Sequence, residues 1–281
     1  MARQFRARWM GWWRRFCEPR AITVRSHLAN VGCGTTFHEA WDNFDLLPCA
    51  PGVRKLDLVA TLSLPSSAYE AVYSSHVIEH LPRGLAPRVC MEFHRILKRG
   101  GTLRLVVPDL EGIASSYLNE LRAAAAGCPK AADRHEWITM ELLDQMTRSF
   151  SGGYMGRLWW SRPLAVRELI EERLGQEATA QLDQIDKAIS CGQKPLQPNE
   201  VYQPVSPSYG EELKFRRTGE IHRWMYDRVS LKRLLEGAGF RDVRVCCAAE
   251  SRIPDFASYN LDTDAKGRIR KPDSLFMEAT T

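Results

Sequence analysis

An α/β chain built on a doubly wound, mostly parallel sheet is what residues 21–110 predict, on three observations. A short apolar run, Leu28–Val31, ends in Gly32-Cys33-Gly34. Acidic residues recur where the next strands should stop, at Asp45 and Asp57. Strand-like and helix-like runs then alternate as far as Asp109, an order that implies right-handed crossovers between parallel strands.

The elements follow in order. Leu28–Val31 reads as a first strand entering a Gly-x-Gly turn, where backbone N–H groups can approach a ligand with no Cβ in the way. Phe37–Trp41 leaves room for a short helix only. Asn43–Leu46 is a second strand, broken by Pro48 and Pro51. Val53–Leu58 is a third, running into Asp57, and Ala71–Ser75 a fourth. Arg88–Leu97 is a helix whose Val89, Phe93, Ile96 and Leu97 share one face, stopped by Gly100-Gly101. Thr102–Val107 is a fifth strand that Pro108 ends. Helical composition follows over 111–126, 134–149 and 164–190, and the Pro-rich stretch 191–210 reads as a loop or linker. A helix over Ser230–Gly237 and a strand over Phe240–Ala248 complete the chain. The core thus resumes near residue 221, with a helical insertion after the fifth strand.

Composition narrows the class. At 281 residues, with 44% hydrophobic and 26% charged residues, the chain can bury a full core. No run approaches the roughly 18 apolar residues of a membrane span, and no secretory cleavage pattern follows an apolar segment. The eight cysteines are scattered without a CxxC pair. A zinc or disulfide framework is poorly supported, and a reducing cytoplasm is the simpler expectation. Six arginines against Glu18 put a charge of +5 on residues 1–20, equal to that of the whole chain. There Phe5, Trp9, Trp12 and Phe16 recur at helical spacing. A basic amphipathic helix of this kind lies on an anionic membrane surface, packs its aromatic stripe on the domain, or serves as an organellar presequence.

Several segments carry a resemblance. VGCG, LSLPSSAYEAVYSSHVIEHL and FHRILKRGGTLRLVVPD resemble motifs of the class I S-adenosylmethionine-dependent methyltransferases of the type-11 group. Glu70 stands where that family has the acid before its fourth strand. The later IHRWMYD and SLKRLLEGAGFRDV resemble a subgroup associated with polysaccharide and glycolipid biosynthesis. The resemblance implies a Rossmann-like fold divided as 1–20 (basic amphipathic helix), 21–110 (cofactor-binding half), 111–220 (helical insertion or lid with its Pro-rich loop) and 221–281 (remainder of the core). It implies S-adenosyl-L-methionine as cofactor, with Asn30, Gly32, Cys33, Gly34, Asp45, Asp57, Leu58 and Ser75 around it. Asp45 would accept hydrogen bonds from the ribose hydroxyls, since two acceptor oxygens suit a vicinal diol. Asp57 and Leu58 would meet the adenine. Asn30 replaces the acid that usually faces the cofactor's ammonium.

Methyl transfer is an in-line displacement, in which alignment and water exclusion do most of the work. An oxygen nucleophile benefits from a base, and His76, His222 and Asp109 are the candidates. Asp109 would alternatively cap a helix. His76-Val-Ile-Glu-His80 also reads literally as a zinc-peptidase pattern. It follows a strand rather than sitting inside a long helix, and no third ligand is visible, so a peptidase is not expected and no metal is assigned. Glu79 and His80 are expected to cap the following helix and hold the loop, with metal binding, as in some quinone O-methyltransferases, the alternative that the resemblance leaves open. The acceptor read from the resemblance is a hydroxyl of a sugar, glycolipid or lipid-linked intermediate, with peripheral membrane contact through residues 1–18 and no nucleic-acid partner. Two alternatives stay open: a quinone-like small-metabolite O-methyltransferase, and a scaffold protein that keeps the fold without turnover.

Overall fold

The computed structural model describes residues 22–60 and 62–281, so the amphipathic segment 1–20 lies outside the described residues. Among the described residues seven strands form one sheet: β1 (Leu28–Val31), β2 (Asp42–Asp45), β3 (Val53–Lys55), β4 (Tyr69–Ser75), β5 (Leu97–Pro108), β6 (Arg241–Cys246) and β7 (Ser274–Thr280). Their order is β3-β2-β1-β4-β5-β7-β6, parallel except for β7, which runs antiparallel to both neighbours. This is a Rossmann-like, mostly parallel sheet with flanking helices.

The two faces are covered differently. On one, α1 (Ala86–Ile96) and α7 (Arg228–Gly237) bury Val89, Phe93, Leu231 and Leu235 against Val72, Leu105 and Met277. On the other, Tyr73, Val106 and Phe276 meet Trp41, Ile253, Phe256 and Leu261, which arrive on loops and on one turn of 3-10 helix at Phe256–Tyr259. The short helix expected over Phe37–Trp41 does not form. That segment is a turn, held by the Asn43 side-chain amide donating to the His38 and Trp41 carbonyls at 2.9 and 2.8 Å. Trp41 is thereby delivered into the aromatic cluster, edge-on to Tyr73 and Tyr259.

Between β5 and α7 lie α2 (Leu110–Ala125), α3 (Ala131–Thr147), α4 (Gly153–Trp159), α5 (Arg167–Ser190) and α6 (Tyr209–Phe215). Trp137, Ile138, Met155, Ile170 and Leu182 give this region a core of its own. Two short helices were not expected, α4 inside a glycine-rich stretch and α6 after the prolines. α6 is fixed by a capping box in which Ser208 and Glu211 satisfy each other's N–H groups. α5 is broken at Gly175, whose φ of 73° and ψ of −151° leave the helical region. A Cβ there would lie 2.3 Å from the Arg270 carbonyl oxygen. The break lets the helix touch the chain that feeds β7. Among the described residues no helix is long and apolar enough to cross a membrane.

Candidate functional site

One cavity of about 700 Å³ opens along the carboxyl ends of β1, β2 and β4. All eight residues marked for a cofactor line it: Asn30, Gly32, Cys33, Gly34, Asp45, Asp57, Leu58 and Ser75. At Gly32 φ is 75°, and a Cβ would sit 2.2 Å from Val77 Cγ2, so only glycine lets the turn pass beneath the loop after β4. Asp45 closes β2 and folds back over that turn, accepting from the Gly34 N–H at 2.8 Å and the Leu47 N–H at 2.9 Å. Each oxygen keeps lone-pair capacity for a ligand. Asp57 Oδ1 accepts from the Val59 N–H at 2.8 Å, which orients the loop after β3. Asn30 is buried at the end of β1, and its amide nitrogen donates to the Thr36 carbonyl and Asn43 Oδ1 at 3.1 and 3.3 Å. Its Oδ1 is buried with no hydrogen-bond donor. A buried acceptor in this state costs about 1–3 kcal/mol unless a ligand supplies the donor.

The loop after β4 brings together what the sequence separates. His76 has a φ of 53°, the left-handed region that residues other than glycine rarely adopt. Its Nε2 shares a 2.8 Å hydrogen bond with Ser274 Oγ on the unexpected strand β7, and its Nδ1 lies 3.4 Å from Glu79 Oε1. Glu79 is fully buried with no hydrogen-bond donor to either oxygen. Burial pushes its pKa up to about 8. Its backbone carbonyl accepts from the Arg223 and Trp224 N–H groups at 2.6 and 3.1 Å, which ties this loop to the segment before α7. That tie carries His222 to His80, their rings edge-on at 4.8 Å between centroids. Glu79, His80 and His222 each present a donor atom within 4.8 Å of the others, so the third group invisible in the sequence comes from 142 residues further on in the fold. Burial holds His76 well below the usual histidine range, and burial with the nearby His80 pushes His222 down to about 3. Both shifts favour the neutral ring.

The three candidate bases part company. His76 lines the large cavity and also a second one of about 300 Å³. His222 lines only the second, beside Gln145, Arg148 and Asp273. Asp109 lines neither. It is the N-cap of α2, where its carboxylate accepts from the Glu111 N–H at 3.1 Å and its own N–H donates to the Asp273 carbonyl at 3.0 Å. Glu70 lies on β4, exposed and paired with Lys98 at 2.9 Å, away from the cavity walls. Sequence reasoning missed the cationic wall of the large cavity, made by Arg216, Arg217, Arg223, Arg270 and Lys271. Those residues come from two distant stretches, and apart from Arg223, which falls within IHRWMYD, only the density of Arg and Lys in RRTGEIHR and GRIRK signals them.

No protein-family model matches the sequence, nor does any curated protein sequence. Among solved structures, the fold is similar to a SAM-dependent methyltransferase from Thermotoga maritima described as a possible histamine N-methyltransferase, at 12% identity and a TM-score of 0.38, covering 92% of this chain and 84% of that one. It is similar to a SAM-dependent methyltransferase from Archaeoglobus fulgidus at 13% identity and a TM-score of 0.35, covering 100% and 95%. A third is an S-adenosylmethionine-dependent methyltransferase from Mesorhizobium loti at 14% identity and a TM-score of 0.33, covering 95% of each chain.

Proposed function

We propose that this chain is an S-adenosylmethionine-dependent methyltransferase that acts on a hydroxyl of a sugar, glycolipid or lipid-linked intermediate. The observation that carries the reading is the cavity wall itself. A buried, donor-less Asn30 Oδ1 stands beside a glycine turn that tolerates no Cβ and an acid whose oxygens project past that turn. An ammonium, a close-lying backbone contact and a vicinal diol are the groups these features accept, and the cofactor carries all three kinds of contact. The chemistry it supplies when bound is a sulfonium methyl open to in-line displacement.

The chain's residues then have separable tasks. Asp45 holds the ribose hydroxyls, and Asp57 with Leu58 borders the adenine. Ser75 and His76 stand where β4 ends, at the boundary between cofactor and acceptor. His76, kept neutral by burial, is able to take the acceptor's proton at Nε2, with Ser274 Oγ as the neighbouring relay. The wall of Arg216, Arg217, Arg223, Arg270 and Lys271 suits an acceptor bearing phosphate or carboxylate, as a lipid-linked sugar does. Residues 1–18 would dock the enzyme on the anionic surface where such an acceptor resides, with each Arg contributing on the order of 1 kcal/mol.

Incubation with methyl-labelled cofactor and fractionated cell extract tests the reading. Label should enter an acidic glycan or glycolipid fraction. Label confined to small metabolites would favour the quinone-like alternative, and cofactor binding with no labelled fraction would favour the scaffold. Asp45→Ala should weaken binding of the cofactor by about 1–3 kcal/mol in calorimetry; equal affinities would remove Asp45 from the ribose. Deletion of residues 1–18 should abolish binding to anionic vesicles while cofactor affinity is retained. An intact chain that ignores vesicles removes the membrane part of the proposal.

A further inference from the structure

We propose that Glu79, His80 and His222 form a binding site for one divalent transition-metal ion of the zinc class. Three observations carry it independently of the methyltransferase reading. The first is the donor set. One carboxylate and two imidazoles, each offering an atom within 4.8 Å of the others, are the ligands that zinc, cobalt(II) and iron(II) prefer over magnesium or calcium. The second is unmet demand. Both Glu79 oxygens and His222 Nδ1 are buried without a hydrogen-bond partner. A buried carboxylate in that state must be neutralised by a proton or a cation. The third is preorganisation. His80 Nδ1 lies 3.3 Å from the Ile221 carbonyl, which favours a proton on that nitrogen and leaves Nε2 free on the side facing Glu79 Oε1 at 3.9 Å. A ligating histidine is commonly held this way, its other N–H given to a backbone carbonyl.

Backbone hydrogen bonds pin the remaining ligands. The Glu79 carbonyl receives the N–H groups of Arg223 and Trp224, and the His222 N–H donates to the Gln145 carbonyl at 3.0 Å. Metal–ligand bonds of about 2.0–2.2 Å require donor atoms closer than 4.8 Å, so the side chains must draw in by roughly an ångström. Their backbones need not move. His76 Nδ1, 3.4 Å from Glu79 Oε1, stands as a fourth group beside the same carboxylate. The location gives the ion a purpose. His80 lines the large cavity and His222 the second, so an ion between them sits in the partition and can present its open positions to a ligand on either side.

The test uses the full chain, stripped with chelator and titrated with Co²⁺, reading visible absorption and bound metal by elemental analysis. One equivalent should bind, with no thiolate charge-transfer band, and prior alkylation of the cysteines should not reduce it. His80→Ala and His222→Ala should each weaken binding by about tenfold or more. His80 keeps 26% of its side chain exposed, so its removal leaves the fold least disturbed; Glu79→Gln, of the same shape, should abolish binding while circular dichroism stays unchanged. Failure to bind Co²⁺ or Zn²⁺ overturns the proposal. So does uptake that His80→Ala leaves unchanged, or a thiolate band that alkylation removes. Loss of metal with intact cofactor affinity would leave the proposed function standing, and metal binding without methyl transfer would leave this site standing.

Discussion

At Gly32 two penalties coincide, a left-handed backbone and a methyl group's width of free space. Gly32→Ala should cost roughly 1–2 kcal/mol from φ alone, with the contact to Val77 at 2.2 Å added to it. Val77→Ala in the same chain should restore the steric share and leave the backbone share, which thermal melts of the single and double variants separate. If the double variant melts no higher than Gly32→Ala, the crowding at Val77 is not what makes glycine necessary. The clustering of residues near this turn on one cavity wall was legible in the sequence because a strand, a tight turn and an acid follow one another within 18 residues, Leu28 to Asp45. Glu79 was not. A glutamate between an isoleucine and a histidine looks like a helix cap, and nothing local discloses that the segment around Arg223 closes over it and shuts out water.

Among the elements, α5 shows how one residue converts a helix into a connector. Gly175 takes a φ/ψ pair that is essentially glycine's alone, and alanine there should cost of order 1–3 kcal/mol in strain, with more from its clash against the Arg270 carbonyl. Gly175→Ala should therefore melt lower than the native chain, and the cationic wall at Arg270 and Lys271 should shift enough to weaken acceptor binding more than cofactor binding. Equal losses of both would argue against a local effect. Strands β1 to β5 and helices α1 and α7 were legible because their apolar periods are local. β7 was not, although SLFMEAT reads as a strand. Its place between β5 and β6 depends on pairing over more than 160 residues, which periodicity does not encode. The missing helix after β1 has a similar cause: the Asn43 amide and the aromatic seat for Trp41 are tertiary demands that override a short segment's own preference.

Across the whole molecule, Arg104 is the fastening between strands and irregular cover. Fully buried, it donates to Asp262 at 2.6 Å and Glu278 at 3.0 Å, and it caps the Cys247 and Glu250 carbonyls at 3.0 and 2.8 Å. Burial works against the Glu278 charge, yet donors from Ser251, the Arg252 N–H and Arg244, with Arg104 nearby, hold its pKa below the ordinary 4.5. A depressed carboxylate stabilises the fold fully above its unfolded pKa, and that contribution drains away as pH falls through the folded value. Asp262, raised by burial despite Arg104, works in the opposite sense above its ordinary 3.8. Glu278→Gln should thus destabilise the chain at pH 7 by about 3–5 kcal/mol, as breaking a buried pair does. The gap from the native protein should narrow once pH drops below 4.5. Urea melts at both pH values check it, and a gap independent of pH would take Glu278 out of the ionic network.

The contact between α5 and the chain ahead of β7 bears on modularity. The Asp273 N–H donates to the Arg173 carbonyl at 2.9 Å, Lys271 reaches Glu177 at 3.7 Å, and β7 begins one residue later. The helical region is therefore stitched to the sheet at Asp273, well beyond its own sequence span, which ends at residue 220, and is not merely hinged where it leaves β5. A chain of this design does not trade its insertion as a cassette. Excising residues 111–220 and joining the ends would unseat the strand that completes the sheet, so substrate preference in such a scaffold changes by substitution along the seam rather than by swapping the block.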